Sequence, residues 1–311
     1  MSQNFALFVP IVLYAGLVGL AGHLPSLRSS PIIYRVPLKI KEALRDPALN
    51  ESLPPLDLLT VVFKRADQSG DDLLDLDELA SYIHYRTKSH IEEALQENYG
   101  LFMTIDKNPK NGVVSWNEYH DYFLMKHGVD EEYIRKHNEK HPGLGRSLKE
   151  SIARDKASWS EAAKSDPEFL TLDEFLAFRH PESSANNILT LVDDLLDKLD
   201  RDGDEMLTEE EFAVLQVSGG ETLVSQGEDQ RRMEFRSAID KDGNSLADRR
   251  ELLRYIDPQN PRHAREEAMT LVTLGDTDRD GRLSLEEVLA KMDLFLGSKM
   301  VNTAKSFHDE F

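Results

Sequence analysis

Oxygen-bearing side chains recur at fixed positions in one twelve-residue stretch, residues 276–287. Positions 1, 3, 5, 9 and 12 carry side chains with oxygen ligands, and they are Asp276, Asp278, Asp280, Ser284 and Glu287. Position 6 is Gly281. A hard divalent cation takes six to eight oxygens, and short carboxylates on alternate residues of a tight loop can face one centre. The Arg282 carbonyl is the expected ligand at position 7. An acidic surface turn would not require six matching positions, so the spacing predicts a calcium loop of the EF-hand type.

Three other stretches fit this pattern at the ligand positions, and we number the predicted loops one to six along the chain. The predicted ligands are Asp67, Ser69, Asp71, the Leu73 carbonyl, Asp75 and Glu78 in loop one; Asp200, Asp202, Asp204, the Met206 carbonyl, Thr208 and Glu211 in loop four; and Asp240, Asp242, Asn244, the Leu246 carbonyl, Asp248 and Glu251 in loop five. Position 6 is Asp72, Glu205 or Ser245 instead of glycine, and these residues adopt a positive φ at a cost. We expect calcium dissociation constants of about 10⁻⁴ to 10⁻³ M, as in extracellular modules.

Two further copies of the pattern are incomplete. Loop two runs from Asp106 to Glu118 and has one residue too many, with Asn108 and Asn111 where carboxylates are expected. It is predicted to bind calcium weakly or not at all. Loop three keeps Glu174 at position 12, but its positions 1, 3 and 5 are Ala163, Ser165 and Pro167. We interpret it as a structural hand without metal that partners hand four.

Apolar residues at helical spacing flank each loop, so the sequence predicts an all-α fold of six helix-loop-helix hands. One hand cannot bury its apolar face alone, and hands pair through a short antiparallel β contact at loop position 8. The predicted contacts are Leu74 with Val114, Leu170 with Leu207, and Ala247 with Leu283. The predicted paired lobes are residues 54–128 for hands one and two, 148–217 for hands three and four, and 218–296 for hands five and six, with a spacer at 129–147.

The charge and composition limit the functions that this chain can have. It has 311 residues, 37 Lys and Arg against 57 Asp and Glu, and a formal net charge of −20. This charge disfavours direct nucleic-acid binding and anionic membrane surfaces, and it attracts cations. The sequence contains no cysteine, no Gly-rich phosphate loop and no serine in an elbow motif. We therefore predict that it is not an enzyme, the alternative being an enzyme regulated by the hands.

Both ends of the sequence carry features of secretory-pathway proteins. Residues 5–22 are apolar and uncharged, which predicts a signal peptide at 1–21 cleaved near Ala21, leaving no membrane span; an uncleaved anchor is the alternative. Residues 22–53 form a predicted linker with a glycosylation sequon at Asn50. The predicted tail, 297–311, ends in a retrieval-like tetrapeptide made of His308, Asp309, Glu310 and Phe311. We expect the lumen of the endoplasmic reticulum and Golgi, with partial secretion.

Three motifs give a more specific resemblance. They are SWNEY at residues 115–119, FLAFRHPE at 175–182 and GSKMV at 297–301. With the six hands and the terminal tetrapeptide, they make the chain similar to the CREC family of luminal multiple EF-hand proteins, which includes calumenin and the reticulocalbins. The resemblance covers essentially the whole mature chain. It implies low-affinity luminal calcium binding and, for one member, calcium-driven assembly and sorting of secretory cargo.

Two functional hypotheses remain open besides the enzyme. In the first, compaction, self-association or binding of secretory cargo and luminal client proteins depends on calcium. In the second, the chain is a folding helper or scaffold of the endoplasmic reticulum that uses calcium only for its own structure. Exposure of apolar surface on calcium addition would discriminate between them.

Overall fold

The computed structural model describes residues 53–107, 110–136, 141–214 and 227–310. The predicted signal peptide, the sequon at Asn50, and Asn108 and Phe311 lie outside these residues. The helices are α1 (Pro55–Ala66), α2 (Leu76–Ile105), α3 (Trp116–Lys126), α4 (Glu131–Lys136), α5 (Arg146–Ala162), α6 (Leu172–Arg179), α7 (Ala185–Leu199), α8 (Glu209–Ala213), α9 (Glu228–Glu234), α10 (Arg249–Ile256), α11 (Pro261–Gly275), α12 (Leu285–Ala290), α13 (Met292–Leu296) and α14 (Thr303–Glu310). Phe235–Ile239 continues α9 as a π-helical turn, and Pro181–Ser183 is a 3₁₀ turn between α6 and α7. The all-α prediction is confirmed.

The helix that leaves each of the six loops starts with a capping box. The position-9 residue is the N-cap, and its side chain accepts a hydrogen bond from the backbone N–H of the position-12 glutamate, whose own carboxylate accepts the N-cap N–H. In hand six these residues are Ser284 and Glu287. The arrangement satisfies two backbone donors that a helix start otherwise leaves unpaired. The same two side chains therefore start the helix and face the loop.

The short strands pair differently from the sequence prediction. The strands are β1 (Leu73–Leu74), β2 (Val114–Ser115), β3 (Phe169–Leu170), β4 (Leu207–Thr208), β5 (Leu246–Ala247) and β6 (Leu283–Ser284). The antiparallel partners are Leu74 with Leu283, Val114 with Leu170, and Leu207 with Ala247. The predicted contacts of Leu74 with Val114, Leu170 with Leu207 and Ala247 with Leu283 are wrong, and so are the lobe boundaries at 54–128, 148–217 and 218–296. Hand one pairs with hand six, two with three, and four with five, giving lobes that we call 1/6, 2/3 and 4/5.

The continuous helix α2 explains why hands one and two do not pair. It has 30 residues, serves as the exiting helix of hand one and the entering helix of hand two, and is about 45 Å long. Loops one and two therefore lie at its opposite ends. The entering helix of hand six, α11, packs along α2, where Arg265 Nη1 lies 2.6 Å from Asp77 Oδ1. This packing places loop six beside loop one.

In the part of the chain that the structure describes, the buried side chains form three cores that follow the same pairing. The core of lobe 1/6 includes Phe63, Ile83 and Phe295, that of lobe 4/5 includes Phe212 and Phe235, and that of lobe 2/3 is rich in aromatic residues. The described part of the segment predicted as a tail, 297–310, belongs to the fold, because Met300 lies in the core of lobe 1/6 and Phe307 on α14 is buried. The pairing separates the loops by type, since both loops of lobes 1/6 and 4/5 carry the full ligand pattern and both loops of lobe 2/3 are incomplete.

Candidate calcium centres

Four of the six loops bring three carboxylates together. One oxygen from each of three acidic residues lies within 4.8 Å of the other two in every case. The sets are Asp67, Asp71 and Glu78 in loop one; Asp200, Asp202 and Glu211 in loop four; Asp240, Asp242 and Glu251 in loop five; and Asp276, Asp278 and Glu287 in loop six. An all-oxygen donor set of this size and charge suits calcium, which accepts irregular oxygen coordination.

The position-1 aspartate shapes each of these loops. In loop one, Asp67 Oδ1 accepts the Gly70 N–H at 2.7 Å and Oδ2 accepts the Asp72 N–H at 3.1 Å. In loops four, five and six the position-1 aspartate likewise accepts the N–H groups of positions 4 and 6. The backbone therefore turns tightly around this carboxylate, and the side chains of the following alternate residues converge.

Two residues in each of these loops adopt the left-handed conformation, and in each loop one of the two is glycine. Position 4 is Gly70, Gly203, Gly243 or Arg279, and position 6 is Asp72, Glu205, Ser245 or Gly281, all with φ between 62° and 84°. Loop six has glycine at position 6 but places Arg279 in the left-handed region at position 4 with φ 65°. The cost of one left-handed non-glycine residue is therefore common to all four loops. Glycine at position 6 therefore gives loop six no advantage in backbone strain, contrary to the expectation that only loops one, four and five bear this cost.

Desolvation and the crowding of like charges raise the pKa of the position-3 aspartate in two loops. The Asp204 N–H lowers the pKa of Asp202. Desolvation and the charges of Asp204, Glu211 and Asp200 raise it by a larger amount, so the net shift is upward. Asp278 behaves in the same way in loop six. A dication at the centre of the cluster would relieve this repulsion, and so the residues present fit calcium.

In loop six, hydrogen bonds from the protein hold the position-12 glutamate, Glu287, as an anion. Burial raises the pKa of Glu287, but hydrogen bonds from the backbone and hydroxyl groups of Ser284 and Thr277 outweigh it and hold the pKa at about 2. The Thr277 N–H lies 2.8 Å from Glu287 Oε1. The carboxylate is therefore ionised at neutral pH, and these hydrogen bonds orient it toward the loop.

An ion pair joins the two loops of lobe 1/6. Arg282 at position 7 of loop six places Nη1 2.9 Å from Oδ2 of Asp71, the position-5 residue of loop one. The Leu73 N–H and this guanidinium together outweigh desolvation and lower the pKa of Asp71. The sequence predicts a role only for the Arg282 carbonyl, because this ion pair depends on the pairing of loops one and six.

Curated relatives place the chain in a family. It is 33% identical over 261 residues to the 45 kDa calcium-binding protein of Gallus gallus, covering 81% of this chain and 73% of the relative. It is 32% identical over 262 residues to the protein of the same name from Homo sapiens, covering 81% of this chain and 72% of that protein. The chain belongs to the CREC family. No protein-family model and no solved structure matches this CREC protein.

The calcium-binding relatives and the four carboxylate clusters together identify calcium as the ligand of this CREC protein. Within the described ranges, no helix has both the length and the apolar character needed to cross a bilayer. The apolar residues 5–22 lie outside those ranges.

Loop two of this CREC protein keeps its first and last residues in place despite the insertion. Asp106 is buried, and its carboxylate accepts the N–H groups of Asn111 and Gly112, both at 3.0 Å. Glu118 accepts the Ser115 N–H at 2.9 Å. Among the residues that the structure describes, loop two does not bring three acidic or histidine side chains together. Its weak or absent calcium binding remains a prediction.

Loop three of this CREC protein uses its glutamate to bind protein groups. Glu174 Oε1 accepts the Lys164 N–H at 3.1 Å and the N–H and hydroxyl of Ser165, both at 2.7 Å, while Oε2 accepts the Thr171 N–H at 2.9 Å. Burial raises the pKa of Glu174, but these hydrogen bonds lower it to about 2. The prediction that hand three partners hand four is wrong, since loop three pairs with loop two.

Proposed function

We propose that this CREC protein is a low-affinity calcium-binding protein of the secretory-pathway lumen whose compaction, self-association or client binding depends on calcium. The observation that carries this proposal is the pairing of loops, which gives lobes 1/6 and 4/5 two carboxylate clusters each. Each of these lobes therefore contains two clusters of carboxylates that repel one another. Calcium that binds these clusters in the folded lobe also stabilises the lobe against unfolding.

The expected effect on stability is substantial. When free calcium is three times Kd, each site adds RT ln 4, about 0.8 kcal/mol, so four sites add about 3 kcal/mol. Filling four sites also changes the formal charge from −20 to about −12. Less self-repulsion favours compaction and permits association between copies.

The luminal location and the partners rest on other features. The predicted signal peptide and the terminal tetrapeptide support the lumen of the endoplasmic reticulum and Golgi, with partial secretion. The proposed partners are secretory cargo or luminal client proteins, and other copies of the chain when calcium is bound.

The test is a calcium titration of residues 22–311 by calorimetry, with circular dichroism and light scattering in parallel. We expect about four sites, a gain in stability and larger particles as calcium rises. The double variant Glu211→Gln and Glu251→Gln removes the position-12 carboxylate from both loops of lobe 4/5 and should lower the stoichiometry. Its control is Glu210→Gln with Glu286→Gln, which makes the same charge change at exposed positions, one beside Glu211 and the other beside Glu287 of lobe 1/6.

Unchanged calcium binding in the lobe 4/5 variant would contradict the site assignment. Binding without compaction or assembly would contradict the proposed calcium-dependent function. If a dye reports no change in apolar surface within the calcium range where the chain stays folded, the alternative of a calcium-stabilised folding helper or scaffold is favoured.

A further inference from the structure

Three side chains outside the loops meet at one point between the lobes. His90 lies near the middle of α2, whereas His180 and Glu182 belong to the connector between α6 and α7. His90 Nε2 lies 2.8 Å from Glu182 Oε1, and His180 Nδ1 lies 3.3 Å from the same oxygen. One ligand atom from each of the three residues lies within 4.8 Å of the other two. The site links the exiting helix of hand one to the junction between hands three and four.

The surroundings of this cluster separate it from an ordinary surface ion pair. The Glu182 side chain is 3% exposed, and the side chains of His90 and His180 are 15% and 16% exposed. The ring of Phe307, on α14, stacks on the His90 ring with the centroids 5.6 Å apart. The Ser183 hydroxyl contributes a long contact of 3.4 Å to Glu182 Oε1. The carboxylate is thus enclosed, while the two imidazoles retain an edge toward solvent.

The carboxylate of Glu182 is ionised in this enclosed position. Burial raises its pKa, but the hydrogen bonds from His180 and His90 outweigh burial and hold the pKa at about 2. A buried carboxylate with imidazole partners is also a ligand set that a divalent metal can complete.

The donor atoms differ from those of the calcium loops, and the difference selects another metal. Calcium prefers oxygen ligands only, whereas imidazole nitrogen suits borderline metals. Two histidines and one glutamate form a recurrent three-ligand set for zinc, with a water in the fourth position of a tetrahedron. With Zn–N and Zn–O distances of about 2.0 to 2.2 Å, tetrahedral ligands lie about 3.4 Å apart. The observed separations of 2.8 and 3.3 Å need only a small opening to match.

We propose that His90 Nε2, His180 Nδ1 and a Glu182 carboxylate oxygen form a zinc site distinct from the calcium loops. The metal takes the place of the ring proton between each of these nitrogens and the carboxylate, and each neutral imidazole then carries its proton on its other nitrogen. Because the ligands come from α2 and from the α6–α7 connector, zinc ties lobe 1/6 to the junction of lobes 2/3 and 4/5.

The test is zinc titration of residues 22–311 against a chromophoric zinc indicator, with millimolar calcium present so that the acidic loops are occupied. We expect one zinc per chain that calcium does not displace. The variants His90→Gln and His180→Gln should each weaken zinc binding by about 100-fold or more, beyond the loss typical of residues that only orient a metal ligand. The control His127→Gln, at the exposed end of α3, should leave it unchanged.

Two measurements keep the result independent of folding. Circular dichroism and the calcium stoichiometry of each variant should match the parent chain. Cobalt(II) bound at the same site should give the visible spectrum of a tetrahedral nitrogen and oxygen site, and this spectrum should disappear in His90→Gln. Zinc binding that calcium abolishes, or that persists at full affinity in both folded histidine variants, would overturn the proposal.

Discussion

Replacing Glu251 by Gln tests the loop pairing and the calcium sites together. The substitution keeps the shape of the position-12 side chain but removes one anionic ligand from loop five. Because loop five pairs with loop four through Leu207 and Ala247, site four should weaken along with site five. Pairing by order along the chain would instead weaken site six.

The size of the effect follows from the short ladder between the loops. Coupling between two sites is typically 1 to 3 kcal/mol, and for a two-residue ladder we take the lower end, about 1 kcal/mol or 5-fold in affinity. At free calcium of three times Kd, loss of site five removes about 0.8 kcal/mol, and a 5-fold weaker site four contributes about 0.3 instead of 0.8 kcal/mol. The free energy of unfolding in calcium should therefore fall by about 1.3 kcal/mol.

The assay follows the position-6 amides by NMR during a calcium titration. The Glu205 N–H donates to Asp200 in loop four, and the Gly281 N–H donates to Asp276 in loop six, both at 2.9 Å, so each amide reports its own site. In the Glu251→Gln variant, the midpoint for the Glu205 amide should move to about 5-fold higher calcium, while that for Gly281 stays in place.

The control is Glu210→Gln, which removes a charge from an exposed position beside site four. It should reproduce little of the shift if coupling runs through the ladder. A shifted Gly281 midpoint with an unshifted Glu205 midpoint would refute the pairing of hands four and five. If the Glu205 midpoint shifts equally in the control, the loss of charge alone explains the effect and coupling through the ladder is refuted.

Four further predictions concern single features. Replacing Arg282 by Gln removes a cation beside loop one and should raise its calcium affinity a few-fold, an effect that calorimetry should find smaller at 1 M salt because the charge is screened. Replacing Glu174 by Ala should lower the free energy of unfolding in urea by about 1.5 to 3 kcal/mol, since the N–H and hydroxyl groups of Ser165 and Thr171 lose a charged acceptor, with an unchanged number of calcium ions bound. Replacing Ser245 by Gly relieves a left-handed residue and should stabilise the chain by about 0.5 to 1 kcal/mol in the same assay. Both tryptophans, Trp116 and Trp159, lie in lobe 2/3 with ring centroids 5.3 Å apart, so their emission should stay nearly constant while the other lobes fill with calcium.

The sequence predicts the hands because their pattern is local. Ligand spacing within twelve residues, and apolar residues at helical spacing on either side, are properties of one segment at a time. The capping boxes were also readable, since Ser284 and Glu287 stand three residues apart before an apolar helix. Their double use as helix caps and loop ligands does not stand out in the sequence, because the two patterns coincide.

The loop pairing could not be obtained from spacing. Leu74 could reach either Val114 or Leu283, and the choice depends on whether residues 76–105 break into two helices or continue as one. Nothing in that stretch marks a break, because it contains no proline and its glycine, Gly100, lies within the last turns. Because α2 is one continuous helix, loops one and two are separated by its full length. The zinc proposal depends on this as well, since His90 and Glu182 are brought together only by packing.

The partnership of hands one and six also determines the order in which the chain can fold. Leu207 and Ala247 lie 40 residues apart, but Leu74 must wait for Leu283, which follows it by about 210 residues. Closing the longer loop costs about 1.5 kcal/mol more in chain entropy. During synthesis, lobes 2/3 and 4/5 can form while hand one still exposes its apolar face. Hand one thus lacks its partner until loop six has been synthesised, so α1 and the first half of α2 stay exposed to chaperones after lobes 2/3 and 4/5 have formed.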